Sequence, residues 1–279
     1  MKEWIKKILQ GWDIYHPLQS FYRTSILTIQ KLVYRTLYIK YKGKGFTCNV
    51  CRYVYEKFVS DMPDKLNRDA ITKYKVIAGY GKNIICPNCL STARERLVLA
   101  FLYETELENK KVLHFSPEKN IYNYLKRHAI VTTADLFPRF YKTIDKKISK
   151  VDATSIDFDD EQFDIVIACH IMEHIPDDKA AMQEIYRILK CGGKAILQVP
   201  YSENLLYTVE TPGINEPELQ QKLYGQKDHV RIYALHDYVD RLKFTGFEVQ
   251  IVSYPELKHL YNNAIQKKEC FLKISKPMT

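Results

Sequence analysis

The stretch that decides the fold reads Phe163-Asp164-Ile165-Val166-Ile167-Ala168-Cys169-His170-Ile171-Met172-Glu173-His174-Ile175-Pro176-Asp177-Asp178. It opens with an apolar run rich in β-branched side chains, which predicts a buried parallel strand. The run ends in Cys169 and His170, and acidic side chains follow closely. Ligands of open α/β sheets bind beyond the carboxyl ends of the strands. The stretch therefore predicts a site at this strand end, although Asp177 or Asp178 also suits the N-cap of a following helix.

The segments on both sides of this strand alternate between strand and helix patterns. Strands are predicted at 111–115, 130–134, 150–153, 163–169, 194–199, 247–253 and 270–274. Helices are predicted at 119–128, 178–189, 235–244 and 257–267, with Cys191-Gly192-Gly193 as the C-terminal cap of the second. This alternation predicts an α/β fold: a mostly parallel sheet of seven strands with helices on both faces.

Residues 201–232 interrupt the alternation. They contain Pro212, Gly213, Pro217 and Gly225, and a helix is predicted over 216–224. A loop-rich insertion that follows the carboxyl end of a strand is a common position for a substrate lid.

Two cysteine pairs with the same internal spacing precede the alternating region. Cys48-Asn49-Val50-Cys51 and Cys86-Pro87-Asn88-Cys89 are separated by 34 residues. Two such pairs can place four thiolates tetrahedrally around one zinc ion, and a site of four thiolates has no open position for catalysis. We therefore predict a structural, ribbon-like zinc module over residues 45–92, against the alternative of four free thiols.

A helix is predicted to follow the module, with Ser91 as its N-cap, and to continue to about residue 108. Arg94 and Arg96 lie in its first turns. Their guanidinium groups suit either an anionic ligand or ion pairs on the surface.

The positive charge of the chain is concentrated near its N-terminus. The formal net charge is +9, and residues 1–45 hold nine Lys or Arg against Glu3 and Asp13. Residues 1–44 read as basic amphipathic helices that either lie on an anionic membrane surface, bind another polyanion, or cover the main domain. No export signal or membrane-spanning run is evident, so we expect a cytoplasmic protein, peripheral at the inner membrane face if this segment binds lipid.

The central stretch and the segment Glu184–Leu197 resemble class I S-adenosylmethionine-dependent methyltransferases of the type 11 group. The resemblance covers about 110–275. The preceding cysteine module together with His114-Phe115-Ser116-Pro117-Glu118 is similar to a bacterial subgroup associated with surface-polysaccharide gene clusters. The resemblance implies a Rossmann-like domain over 93–279 with S-adenosylmethionine as cofactor.

One loop departs from the family pattern. The family carries three glycines after its first strand, whereas His114, Ser116, Glu118 and Asn120 occupy the motif positions here. Those glycines permit a tight turn and close approach of the backbone to the cofactor. In their absence, Glu118 is expected to pair with the cofactor ammonium, while Ser116 and helix N–H groups take its carboxylate.

The remaining cofactor positions follow from the same resemblance. Asp135 matches the acidic residue that binds the ribose hydroxyls, and Asp152 matches the residue that binds the adenine amino group, beside the backbone N–H of Ala153. Cys169 and His170 match the wall at the methyl-donor end. Turn or N-cap roles are the structural alternatives for both aspartates.

Transfer to a hydroxyl requires a base, and histidine suits that role near neutral pH. We expect His229, at the end of the insertion, to be the base, with His170 as the second candidate. Arg231 and Tyr233 are expected to hold the acceptor. His174 is expected to be a structural residue bonded within its own turn.

Three functions are compatible with these features. The first is O-methylation of a sugar or glycan intermediate. The second is methylation of RNA, because ribosomal-RNA guanine methyltransferases also carry a four-cysteine module before a class I domain. The third is a non-catalytic binding protein that has lost its cofactor loop.

Overall fold

The computed structural model describes residues 15–278. Residues 1–14 of the predicted basic helical segment lie outside the described residues.

Helices and strands alternate through most of this range. Its α-helices are Tyr15–Leu37 (α1), Lys65–Lys73 (α2), Ala93–Tyr103 (α3), Lys119–His128 (α4), Asp178–Ile188 (α5), Pro217–Tyr224 (α6), Leu235–Thr245 (α7) and Tyr254–Leu257 (α8). Its strands are Lys42–Thr47 (β1), Val54–Tyr55 (β2), Val59–Asp61 (β3), Gly81–Ile85 (β4), Lys111–Phe115 (β5), Ile130–Asp135 (β6), Ser149–Lys150 (β7), Phe163–Ile167 (β8), Leu189–Ile196 (β9), Tyr201–Ser202 (β10), Val209–Glu210 (β11), Arg231–Ala234 (β12), Glu248–Val252 (β13) and Phe271–Ser275 (β14).

Seven of the strands form the central sheet, in the order β13-β14-β9-β8-β5-β6-β7. The five strands from β9 to β7 are parallel, and β14 runs antiparallel to both of its neighbours. The predicted seven-stranded, mostly parallel sheet is confirmed, and it fits the class I methyltransferase fold. The strand order reverses between β5 and β8, which is where ligands bind in sheets of this kind.

Successive side chains of the central strands enter two separate cores. Leu113 and Val166 pack with buried residues of α5 and α7 on one face. Val112 and Ile165 pack with α3 and α4 on the other. Because neighbouring strand residues point to opposite faces, both faces of the sheet are covered, as the continuous apolar runs predicted.

The predicted cap at Cys191-Gly192-Gly193 is wrong. The helix already ends at Ile188, and these residues lie inside β9. The N–H of Gly192 donates to the carbonyl of Lys276, and the N–H of Lys276 donates to the carbonyl of Gly193. Pairing with the chain beyond β14 therefore replaces the turn that the glycines suggested.

The predicted helix over 257–267 is also corrected. The structure has α8 over Tyr254–Leu257, followed by a 3₁₀ helix over Lys258–Asn263. Ala264 then adopts a left-handed conformation with φ of 56°. This turn ends the helix and lets Ala264 present its carbonyl to Arg96.

The cysteine module is joined to the insertion by the segment between its two cysteine pairs. The amide of Gln221 in α6 donates to Asn67 of α2 over 2.7 Å. Ile77 forms an antiparallel bridge with Tyr201 at the start of the insertion. The long spacing between the cysteine pairs thus contains a helix that packs on the predicted lid.

Arg96 occupies neither of its two predicted environments. Its side chain is fully buried. It donates to backbone carbonyls from two separate parts of the chain: Asn83, Ile84 and Ser91 on one side, and Asn263 and Ala264 on the other. The residue joins the module to the end of the methyltransferase-like region.

Helix α1 presents an apolar stripe to solvent. Ile29, Leu32 and Leu37 are each about 60% exposed or more. Within residues 15–278, no helix has the length and apolarity that crossing a bilayer requires.

Candidate active site

A cleft of about 570 Å³ lies at the carboxyl edge of the sheet, on the β5–β8 switch point. It is lined by the segments that follow β5, β6, β7 and β8. Seven of the eight predicted cofactor residues line it: Ser116, Glu118, Asp135, Asp152, Ala153, Cys169 and His170. His114 is the eighth, and it lies behind the first loop.

The glycine-free loop reaches the cleft through a left-handed residue. Ser116 has a φ of 43°, in the region that glycine adopts most easily. Its hydroxyl donates to Asp135 Oδ2 over 2.5 Å. The loop after β5 is therefore fixed to the end of β6 by a serine at one of the motif positions that glycine fills in the family.

Glu118 has a protein cation as its partner. Arg94 of α3 donates to Glu118 Oε1 from Nε over 3.1 Å and from a terminal nitrogen over 2.8 Å. Glu118 is also the N-cap residue of α4, but its side chain makes no cap hydrogen bond there. The N-terminus of α4 thus keeps its donors free of a side-chain cap, while the ion pair places a guanidinium in the cleft wall.

His114 supports the same loop from behind. Its ring is fully buried, and Nε2 accepts a hydrogen bond of 3.4 Å from the N–H of Glu118. Burial lowers the pKa of His114 to about 3, so the ring is neutral near pH 7. The structure assigns it to holding the loop rather than to lining the cleft.

The part of the cleft formed by the segments after β6 and β7 contains aromatic residues that the sequence reasoning missed. Phe137 and Phe140 follow Asp135, line the cleft and are 61% and 48% exposed. Opposite them, Asp152 Oδ1 accepts from the N–H and the hydroxyl of Thr154. The sequence does contain a signal for this feature. Two phenylalanines follow the end of a strand, where polar loop residues are usual.

His170 stands at the other end of the cleft, next to the buried Cys169. It has a φ of 53°, and its Nδ1 lies 3.7 Å from Glu173 Oε1. Burial, with a contribution from Arg94, lowers the pKa of His170 well below its ordinary value. Burial raises the pKa of the Cys169 thiol, which disfavours the thiolate that a nucleophile would need.

His229 lies behind the cleft wall and is only 5% exposed. Its ring meets that of His174 edge to face at 4.7 Å between centroids. Burial lowers the pKa of His229 to about 3. His174 itself lines the cleft, and its Nδ1 lies 3.1 Å from the carbonyl of Asp228 in the insertion, not within its own turn as expected.

Arg231 and Tyr233, expected to hold the acceptor, lie away from the cleft. Both are buried. Arg231 donates to Glu210 and to the carbonyls of Met172, Ile175 and Pro176, while the Tyr233 hydroxyl donates to Asp178 over 2.6 Å. These bonds brace the segment after β8, and neither side chain lines the cleft, so their predicted contact with an acceptor stays a prediction.

The four paired cysteines converge as predicted. Cys48 Sγ lies 3.6 Å from Cys89 Sγ, and Cys51 Sγ lies 3.7 Å from Cys86 Sγ. Four sulfurs around a tetrahedral zinc at about 2.3 Å are separated by roughly 3.8 Å. The cluster therefore fits a zinc ion, which it would hold as a closed structural site.

Comparison with known proteins supports one class of activity. Residues 118–197, less than a third of the chain, match the family model of a methyltransferase domain, type 11. No protein of curated function matches the chain in sequence. The family match supports an S-adenosylmethionine-dependent methyltransferase in general.

Several solved structures share parts of the fold. A methyltransferase from Methanosarcina mazei is 15% identical, with 64% of this chain and 98% of that chain covered and a TM-score of 0.45. The YcgJ protein of Bacillus subtilis is 16% identical over 67% and 100%, with a TM-score of 0.43. Phosphoethanolamine N-methyltransferase 2 of Haemonchus contortus, in complex with S-adenosylmethionine, is 15% identical over 66% and 53%, with a TM-score of 0.44. At these scores the likenesses carry no argument about acceptor or mechanism.

Proposed function

We propose that this chain transfers a methyl group from S-adenosylmethionine to a hydroxyl of a sugar or glycan intermediate. The observation that carries the proposal is the cleft at the β5–β8 switch point, in which the ends of four parallel strands bring the predicted residues together. The methyltransferase family match covers three of those strand ends.

The residues of the cleft fit this cofactor. Its charged lining has four carboxylates, on Glu118, Asp135, Asp152 and Asp228, against the single guanidinium of Arg94. A carboxylate-rich wall favours a sulfonium cation. The cofactor supplies an electrophilic methyl group, and the chain has to position and deprotonate the acceptor.

Each end of the cleft has a separate binding task in this proposal. Asp135, held by Ser116, accepts hydrogen bonds from the ribose hydroxyls, and Asp152 with the N–H of Ala153 binds the adenine edge. Phe137 and Phe140 supply apolar area for the ring. The uncapped N-terminus of α4 receives the cofactor carboxylate.

His170 is the histidine best placed to remove the acceptor proton. It lines the cleft, and burial keeps its ring neutral and able to accept a proton. His229 does not line the cleft, so a role as base requires movement of the insertion. The prediction for His229 is tested by His229→Ala, which should abolish turnover and leave cofactor affinity nearly intact if His229 is the base.

The same charge distribution favours a glycan over RNA. A polyanionic acceptor would meet the four carboxylates at the cleft, whereas a polyhydroxyl acceptor would not be repelled. The glycan assignment also rests on the resemblance of the module and first loop to a polysaccharide-associated subgroup.

Calorimetric titration with S-adenosylmethionine tests the cofactor step. The folded chain should bind it, Asp135→Asn should weaken binding by about tenfold, and the exposed control Asp157→Asn should not change it. If a folded sample gives no heat of binding, the hypothesis that remains is a non-catalytic binding protein. The identity of the acceptor is then tested by measuring the transfer of labelled methyl groups to nucleotide sugars and lipid-linked glycans. A steep salt dependence of RNA binding would instead favour RNA as the acceptor.

Helix α1 supports a second part of the proposal, peripheral contact with an anionic membrane. Its exposed Ile29, Leu32 and Leu37 share the segment with Lys31 and Arg35. Co-sedimentation with anionic vesicles, but not with neutral ones, is expected. The variant Leu32→Glu should reduce it, because it places a charge in the apolar stripe.

A further inference from the structure

Three side chains from two separate segments meet behind the floor of the cleft. Glu173 and His174 follow β8, and His229 comes from the insertion. Their ligand atoms all lie within 4.8 Å of one another. Glu173 Oε1 is 3.9 Å from His174 Nε2.

Glu173 is the residue of this cluster that needs an explanation. It is 1% exposed, and neither carboxylate oxygen has a hydrogen-bond partner from another residue among those described. Burial raises its pKa to about 7. A buried carboxylate without a partner is costly unless a cation or a proton neutralises it.

Both histidines are held from outside the cluster. Nδ1 of His174 lies 3.1 Å from the carbonyl of Asp228 and 3.4 Å from its carboxylate. The backbone of Tyr224 lies next to the ring of His229. When a histidine binds a metal through one ring nitrogen, its other ring nitrogen is usually hydrogen-bonded to a carbonyl or carboxylate, and this bond fixes the orientation of the ring.

We propose that Glu173, His174 and His229 bind one transition-metal ion of the zinc class, at a site separate from the four cysteines. Two imidazoles and one carboxylate suit such an ion better than magnesium or calcium, which prefer oxygen ligands. Ligand atoms around a tetrahedral zinc are roughly 3.3 Å apart. The separation of 3.9 Å between Glu173 and His174, and of at most 4.8 Å within the whole cluster, would therefore have to shorten by side-chain movement when the ion binds.

A metal ion at this site would affect the protein in two ways. It joins the insertion, through His229, to the segment after β8, and it neutralises Glu173. A three-ligand site also keeps an open coordination position. His174 and the neighbouring His170 line the cleft, so the site adjoins the place where the proposed methyl transfer would occur. Metal binding itself does not depend on that transfer.

Metal content measured on the folded full chain after saturation with zinc and removal of the excess tests the proposal. Wild type should hold about two zinc ions. Glu173→Gln and His229→Asn should each lose one, while the exposed control His236→Asn should lose none. Cys89→Ser should lose the other ion. Cobalt substitution separates the sites, because only the cysteine site gives intense thiolate-to-cobalt charge-transfer absorption.

Asp228→Asn provides a milder change that keeps all three ligands. It should weaken zinc at this site by about tenfold through the outer contact to His174. Circular dichroism checks that each variant is folded. The proposal is overturned if wild type holds only the ion that Cys89→Ser removes, or if folded Glu173→Gln and His229→Asn retain both ions. In either case Glu173 is neutralised by a proton. These outcomes are independent of cofactor calorimetry, which tests the methyltransferase proposal separately.

Discussion

Replacing Ser116 by alanine and by glycine separates two contributions to the cofactor loop. Alanine removes the hydroxyl that donates to Asp135 but keeps a side chain at φ of 43°. A hydrogen bond to a charged acceptor contributes about 1.5 kcal/mol at a partly exposed site. Glycine removes the same bond but relieves about 1 kcal/mol of left-handed strain. We expect Ser116→Ala to destabilise the fold by about 1.5 kcal/mol and Ser116→Gly by only about 0.5 kcal/mol.

Urea unfolding of both variants measures this difference. A matched pair at Ser60, an exposed residue in β3 without a positive φ, should give the opposite order, because glycine weakens an extended strand relative to alanine. Cofactor affinity should fall equally in the two Ser116 variants, since both release Asp135. If alanine is as stable as glycine at position 116, or the order matches that at Ser60, the strained-loop reasoning fails.

Other predictions concern the buried groups. Burial lowers the pKa of His114 to about 3, so the unfolded chain binds a proton that the folded chain does not, and stability falls as pH drops through 6.5. Between about pH 7.5 and about pH 5.5, urea unfolding should show wild type losing about 1.4 kcal/mol more stability than His114→Gln. Arg96→Met leaves several buried carbonyls without donors and should lower the free energy of unfolding by about 4 kcal/mol or more, against less than about 0.5 kcal/mol for the exposed control Arg68→Met. A chelator strong enough to remove structural zinc should expose the four thiols to a thiol reagent and lower the melting temperature; an unchanged melting temperature with all metal removed would contradict the zinc module.

The sequence was sufficient for the sheet because the sheet depends on local pattern. Continuous apolar runs such as that of β8 predict strands buried on both faces, and their spacing along the chain predicts parallel crossovers. The sequence is not sufficient at Gly192 and Gly193. A glycine pair indicates a turn unless a distant part of the chain pairs with it. The partner, near Lys276, is distant in sequence, so no local signal identifies it.

The candidate site shows the same division between local and long-range information. Residues at strand ends, such as Asp135 and His170, converge because parallel strands end at one edge of the sheet. Arg231 and Tyr233 do not line the cleft, because the path of the insertion decides whether a polar residue faces the cleft or the protein interior. Sequence also placed Arg96 incorrectly, since its acceptors come from segments that are far apart in the chain.

The polar residues after β8 divide into two layers with different exposure. His170 and His174 face the cleft, whereas Glu173 and His229 lie beneath them and are only 1% and 5% exposed. Neither oxygen of Glu173 has a hydrogen-bond partner from another described residue, and a buried carboxylate without a partner is costly. The cluster must therefore take up either a proton or a metal cation. Arg231 and the N–H of Val230 already bond the insertion to the segment after β8, and a metal held by His229 would add a further link. The occupant of this cluster therefore decides how firmly the two segments are held together.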